Sequence, residues 1–194
     1  MFFTIECNEE MWTEADARAI RNPVYANSRR GRAANQLGCL GEVAAEHWMC
    51  RNDILFKNET YLTTHDYRLP CGITIDVKTK DRTVPPRPAY DCSVPEYNHQ
   101  HQLPDYYLFV SLQRDKTFGK SLDIRRYKYA HVLGAITLAN LESNGKVWRA
   151  GEVDPANGTR FWTSCINVRI NQLEPLKHVA ARWLSPQRTA GAPG

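Results

Sequence analysis

The stretch from Thr63 to Lys80 constrains the fold more than any other part of this 194-residue chain. Ile73, Ile75, Val77 and Thr79 alternate with Thr74, Asp76, Lys78 and Lys80, the period-two pattern of a strand with one apolar and one polar face. Ahead of it, Thr63, His65, Tyr67 and Leu69 alternate with Thr64, Asp66 and Arg68. Pro70-Cys71-Gly72 separates the two runs. Proline suits the first central position of a type I turn and glycine the left-handed position that follows, so the spacing predicts a hairpin with a glycine bulge. That loop fixes the register: Leu69 faces Ile73, Asp66 faces Asp76 and Thr64 faces Lys78. Opposed residues share a face, so two carboxylates and an ammonium meet there.

Two carboxylates about 5 Å apart repel by roughly 3 kcal/mol at an effective dielectric near 20, and one lysine does not neutralise both. A magnesium ion, bound through one or two carboxylates plus waters and substrate phosphate, would turn the local charge from about −1 to about +1. A site so charged attracts phosphate.

At these residues the chain resembles the PD-(D/E)XK nuclease superfamily, whose signature is an acidic residue on one strand, D/E-x-K on the next, and a glutamate on a preceding helix. The matching residues are Asp66, Asp76-Val77-Lys78, and Glu42 within Gly38-Cys39-Leu40-Gly41-Glu42. A bare D/E-x-K arises about once by chance in a chain this long, so the weight rests on the set and its order. The first aspartate follows His65 where many members have proline. The resemblance spans roughly residues 33–110. It implies a restriction-endonuclease-like α/β fold, a mixed sheet of about five core strands flanked by helices, with further strands towards the C-terminus.

The activity it implies is magnesium-dependent hydrolysis of phosphodiester bonds, with DNA as substrate and manganese able to substitute. Asp66 and Asp76 would hold the metal, the Val77 carbonyl would add a ligand, and Glu42 would bind a second ion or orient water. Lys78 would place and help deprotonate the attacking water and offset charge on the transition-state phosphate. The alternatives are a nuclease-like module that binds DNA or protein without cutting, and a structural domain in which Asp66, Asp76 and Lys78 form an exposed cross-strand salt-bridge cluster.

Length and a 42% hydrophobic content suit one domain over residues 1–184, followed by a tail, 185–194, of disordered composition. Lys and Arg exceed Asp and Glu by 25 to 21, which permits nucleic-acid binding, although a mixed solvated surface gives the same balance. No apolar run reaches membrane-span length, and the start lacks a signal-peptide pattern, so a cytoplasmic protein with no membrane partner is expected; a homodimer is left open. The six cysteines form no C-x-x-C pair, and reduced thiols are expected.

Residues 2–7 read as a strand, and Thr13 as the cap of a short helix bounded by Pro23. Arg29, Arg30 and Arg32 stand just ahead of the next helix, where they either grip phosphate or decorate a solvated loop. From Ala33 to Met49, Ala33, Leu37, Leu40, Gly41, Ala44 and Trp48 form one apolar stripe, with Gly38 and Gly41 allowing close approach to the hairpin. Glu42 lies roughly 140° around from Leu37, off that stripe. Asp53–Phe56 reads as a strand start, and residues 81–104, with five prolines, as a long loop. In that loop Gln100 and Gln102 could reach a nucleotide together with Lys80, and His99-x-His101 is either a polar loop or half of a metal site. Gln102 and Tyr106 resemble the Gln-x-x-x-Tyr of RecB-like exonucleases, where both residues sit on a helix. Tyr106–Leu112 reads as a buried strand, residues 122–137 as an edge strand or a nucleic-acid surface, and 137–144 as a capped helix ending at Gly145. Strands around Trp148 and across 161–170 flank the turn dipeptide Asn157-Gly158, and 173–184 reads as a last helix.

Overall fold

The computed structural model describes residues 2–23, 31–156 and 158–185. It is a mixed α/β protein. Six strands form one sheet: β1 (Phe3–Glu6), β2 (Lys57–Asn58), β3 (Tyr67–Arg68), β4 (Thr74–Arg82), β6 (Tyr106–Arg114) and β7 (Tyr127–Thr137), in the order β1-β7-β6-β4-β3-β2. Only β4 and β6 run parallel; the other neighbours are antiparallel. A smaller sheet has the order β5 (Asp91–Pro95), β9 (Cys165–Arg169), β8 (Lys146–Trp148).

Two helices precede the forked region of the large sheet. Helix α1 (Glu9–Arg21) is capped by Asn8, whose side chain accepts from Met11 N at 3.0 Å, with Glu9 and Glu10 in its first turn. The Thr13 cap is therefore a correction: the helix starts a turn earlier because Asn8 satisfies the free amide. Helix α2 (Arg32–Arg51) buries Ala33, Leu40, Gly41, Ala44 and Trp48 of the expected stripe, with Leu37 partly buried, against Ile75, Val77, Leu108 and Val110. Helix α5 (Leu176–Leu184), starting after Pro175, closes the same core through Val179 and Trp183.

The opposite face of the large sheet presents Tyr107 and Phe109 to Cys92, Val94, Ile166 and Val168 of the small sheet. β4 thus lies between two layers, with Ile75, Val77 and Thr79 towards α2 and, by alternation, Asp76, Lys78, Lys80 and Arg82 towards the small sheet.

Several expectations are corrected. The proline-rich stretch carries β5 and α3 (Glu96–His99), because Cys92 and Val94 alternate with Asp91 and Ser93 and bury one face. β7 is an interior strand between β6 and β1, and Tyr127 is buried. Strands β8 and β9 pair, but the whole of 149–164 separates them, with Gly158 turning at φ 70° inside that connection and Asn157 outside the described residues. Asp53–Phe56 forms no strand; Asp53 leaves α2 at φ 56° and pairing begins at Lys57. The predicted tail falls outside the described residues from 186 onwards. α4 (Leu138–Asn144) is capped by Thr137 and ended by Gly145, as its sequence requires. No helix among the described residues is long and apolar enough to cross a membrane.

Candidate active site

The turn builds the site. Leu69 N donates to Ile73 O at 2.9 Å, Gly72 N donates to Leu69 O at 2.8 Å, and Gly72 adopts φ 91°. Tyr67 lies opposite Ile75 and Arg68 opposite Thr74, the register expected from Pro70-Cys71-Gly72, which brings Asp66 level with Asp76. The first arm, however, is far shorter than the run Thr63–Leu69. At Asp66 the sheet forks: Asp66 N donates to Ile75 O at 2.9 Å, while its own carboxylate Oδ2 accepts from Val77 N at 2.6 Å. Residues before it curl away, because Glu59 N bonds Asp66 O and Leu62 N bonds Glu59 O, each at 2.8 Å. Thr64 therefore does not pair with Lys78. Gln102 takes that place, accepting from Lys78 Nζ at 2.9 Å through Oε1 and donating from Nε2 to Thr63 O at 3.0 Å.

The cluster is buried. Asp76 is 1% exposed, and its Oδ2 lies 2.6 Å from Lys78 Nζ. Burial pushes the Asp66 carboxyl well above the usual carboxylate range, the charges of Asp76 and Glu42 push it further, and Lys78 and the Val77 amide pull the other way. Burial also raises Asp76, against the pull of Lys78. Glu42 on α2 comes within electrostatic reach of both Asp66 and Asp76. Burial lifts it to about 7, with Glu46 and Asp76 adding to the shift and Arg18 opposing it. Arg18 is committed elsewhere, gripping Glu46 with two hydrogen bonds of 2.8 Å, while Glu46 also accepts from Tyr67 Oη at 2.9 Å.

The other predicted residues divide. Arg29 and Arg30 lie outside the described residues. Arg32 is tied to Asp16 of α1 at 3.1 Å. Lys80 sits on the same face as Lys78 and donates to Ser93 Oγ at 3.1 Å. Gln100 is exposed just after α3. Gln102 belongs to an extended segment and not to a helix, so Gln-x-x-x-Tyr is not laid out helically; Tyr106 is buried against Trp183. His99 turns to Tyr107 Oη at 3.3 Å and Glu142 at 3.4 Å, whereas His101 is exposed.

A polar knot beside the fork carries no recognisable signal in the sequence. Glu59, 4% exposed, accepts from Arg68 Nε at 2.9 Å, lies 2.7 Å from His65 Nε2, and pairs with Lys57 Nζ at 2.8 Å. It anchors the curl that delivers Asp66.

Among the described residues, no three His, Cys, Asp or Glu side chains converge to hold a metal by themselves. Two neighbouring, mutually repelling carboxylates are nevertheless the hard oxygen pair that magnesium accepts when water and substrate supply its remaining ligands. Fold and site together define a mixed α/β protein whose sheet forks over two aspartates and a lysine. Compared with known protein families and with curated proteins, the chain matches none.

Proposed function

We propose that this protein is a magnesium-dependent nuclease of restriction-endonuclease-like fold, related to the PD-(D/E)XK superfamily and acting on DNA. The observation that carries the reading is the pairing of Asp66 and Asp76 at the sheet fork with Lys78 beside them, held by a turn that leaves the register no freedom. Asp66 and Asp76 would hold the metal, with the Val77 carbonyl beside them and Glu42 orienting water from the helix side. A bound magnesium supplies charge neutralisation and polarises water and phosphate.

The chain's own groups do the rest. Asp76 and Gln102 fix the Lys78 ammonium from two sides at 2.6 and 2.9 Å, leaving a third N–H for a phosphoryl oxygen or the attacking water. Held in a poorly solvated site, that positive charge stabilises the developing charge on the phosphate without first reorganising solvent. Glu42, lifted to about 7, can take a proton from the water near neutral pH.

The test is single-turnover cleavage of labelled linear, circular and single-stranded DNA with and without magnesium, together with DNA affinity in calcium. Lys78→Ala is expected to retain binding and lose about a hundredfold or more in cleavage rate. Cleavage that survives Asp76→Asn, or wild type that binds DNA in calcium yet never cuts it in magnesium or manganese, overturns the reading; the second result would leave a binding module.

A further inference from the structure

Beyond Lys78, the polar face of β4 carries two more cations, Lys80 and Arg82, both half-buried against the small sheet. Buried lysine and arginine are ordinarily paired with carboxylates. Here, among the described residues, Lys80 donates to Ser93 Oγ at 3.1 Å and pairs with no carboxylate. Arg82 donates from Nη2 to the Asp91 backbone carbonyl at 2.6 Å and lies over the Tyr90 ring at 5.0 Å, while its buried Nε has no hydrogen-bond partner among the described residues. The β4–β6 register sets Ser111 beside Lys80 and Gln113 beside Arg82. Ser111 is 0% exposed, and its Oγ likewise has no partner among the described residues.

The acid that faces both cations is Asp91 of β5, whose Oδ2 already accepts from Asn167 Nδ2 at 3.4 Å. Cys92 and Cys165 also face Lys80, and burial lifts the Cys92 thiol to about 12, so it adds no anion. Two cations, one carboxylate and two hydroxyls leave a net positive charge and donors to spare. Burial holds both Lys80 and Arg82 below their ordinary values, the direction for cations whose lost hydration is incompletely replaced. β3 pairs with β4 only at Thr74 and Ile75, so among the described residues no further strand of the large sheet covers the rest of that edge.

We propose that Lys80, Arg82, Ser93 and Ser111 form a phosphate-binding cleft between the two sheets. A phosphate would accept from Lys80, the free Arg82 Nε and both hydroxyls, the charge-assisted pattern by which proteins hold such groups. At about 3.3 Å per residue the cleft begins about 7 Å from Lys78 along β4. If its phosphate belongs to a nucleic-acid strand, a step that rests on the nuclease reading, it holds a neighbour of the scissile group. A free phosphate offers the same chemistry.

The experiment needs neither metal nor cleavage. Thermal unfolding is followed in EDTA against rising inorganic phosphate, at ionic strength held constant with chloride, for wild type, Lys80→Met, Ser111→Ala and Lys78→Met. Phosphate is expected to raise the melting temperature of wild type and of Lys78→Met, since a ligand of the folded state stabilises it by mass action. Lys80→Met is expected to abolish the rise. Ser111→Ala loses only an unbonded hydroxyl, so it folds at least as well as wild type without phosphate, and it is expected to weaken phosphate binding roughly three- to tenfold. A tetrathymidylate arm separates the sources: a larger shift than inorganic phosphate, lost in Lys80→Met, assigns the cleft to a strand, and no shift assigns it to free phosphate. No phosphate-specific rise in wild type, or an equal rise in Lys80→Met and Ser111→Ala, overturns the cleft and leaves the nuclease reading to its own assay.

Discussion

Gly41→Ala tests how α2 reaches the site, because the structure gives its sign against the ordinary rule. In an exposed helix interior, replacing glycine by alanine stabilises by about 1 kcal/mol. A Cβ built on Gly41 would instead lie 1.9 Å from Thr79 Oγ1, 2.8 Å from its Cγ2 and 2.9 Å from its Cβ. Rotating Thr79 can move the first two atoms but not the third, so helix and strand must part. Overpacking of this kind costs about 1–3 kcal/mol, which outweighs the propensity gain and leaves a net loss of up to about 2 kcal/mol. Gly38, three residues earlier, has nothing within 4 Å of its added Cβ, and Gly38→Ala is expected to gain about 0.5–1 kcal/mol. Urea unfolding monitored by circular dichroism measures both. The penalty at Gly41 should shrink in a Thr79→Ala background, where Oγ1 and Cγ2 are gone. If Gly41→Ala is as stabilising as Gly38→Ala, the close approach of α2 to β4 is refuted.

Glu42→Gln is expected to flatten part of the pH dependence of stability. With a folded value of about 7 against an ordinary 4.5, Glu42 contributes stability that is fully present below about 4.5 and is lost as pH rises through about 7, on the order of 3 kcal/mol in all. Metal-free unfolding at pH 5 and pH 8 for wild type and the variant checks it, and equal pH dependence in the two would remove Glu42 from the buried cluster. Gln102→Ala frees Lys78 from one of its two restraints while leaving Asp66 and Asp76 in place, so cleavage should fall by about tenfold or more with DNA affinity in calcium little changed. A parallel loss of both would make Gln102 a substrate contact, as its position in a polar loop first suggested.

The turn shows why part of the site was legible in the sequence. Pro70 and Gly72 each carry a backbone preference that few other residues share, and alternation along residues 73–80 specifies the face, so local chemistry alone determines the register of Asp66 against Asp76. The length of the first arm was not legible, because it depends on where Glu59 finds Arg68, His65 and Lys57, and a buried knot of this kind has no periodicity. Gly41 and Gly38 look alike in sequence; only the position of Thr79 separates them. The same limit hid β5, whose strand pattern is short and bracketed by prolines, and misplaced β7, whose tyrosines and basic residues suit an edge as readily as the interior position that β1 imposes. Glu42 stands off the apolar stripe by angle, so the resemblance and not the periodicity singles it out, and its electrostatic reach to Asp66 and Asp76 depends on how α2 packs on the sheet.

Burial argues against reading Asp66, Asp76 and Lys78 as an exposed salt-bridge cluster. An exposed cross-strand salt-bridge cluster would leave its carboxylates near their ordinary values and contribute little in either direction. Asp76 is instead 1% exposed, and burial raises Asp66, Asp76 and Glu42 together, with Lys78 in direct contact with Asp76. Ionising such a set near neutral pH works against folding, since each raised carboxylate favours its protonated form in the folded state. A purely structural role would be served better by apolar side chains of similar size, as replacements of buried ion pairs in other proteins show. Under the proposed function a cation shared by the carboxylates would offset that cost, and the third Lys78 N–H would meet a phosphate. Divalent cations should therefore stabilise the wild-type fold more at pH 8 than at pH 5.5, where protons compete for the same oxygens, and should do so much less in Asp76→Asn.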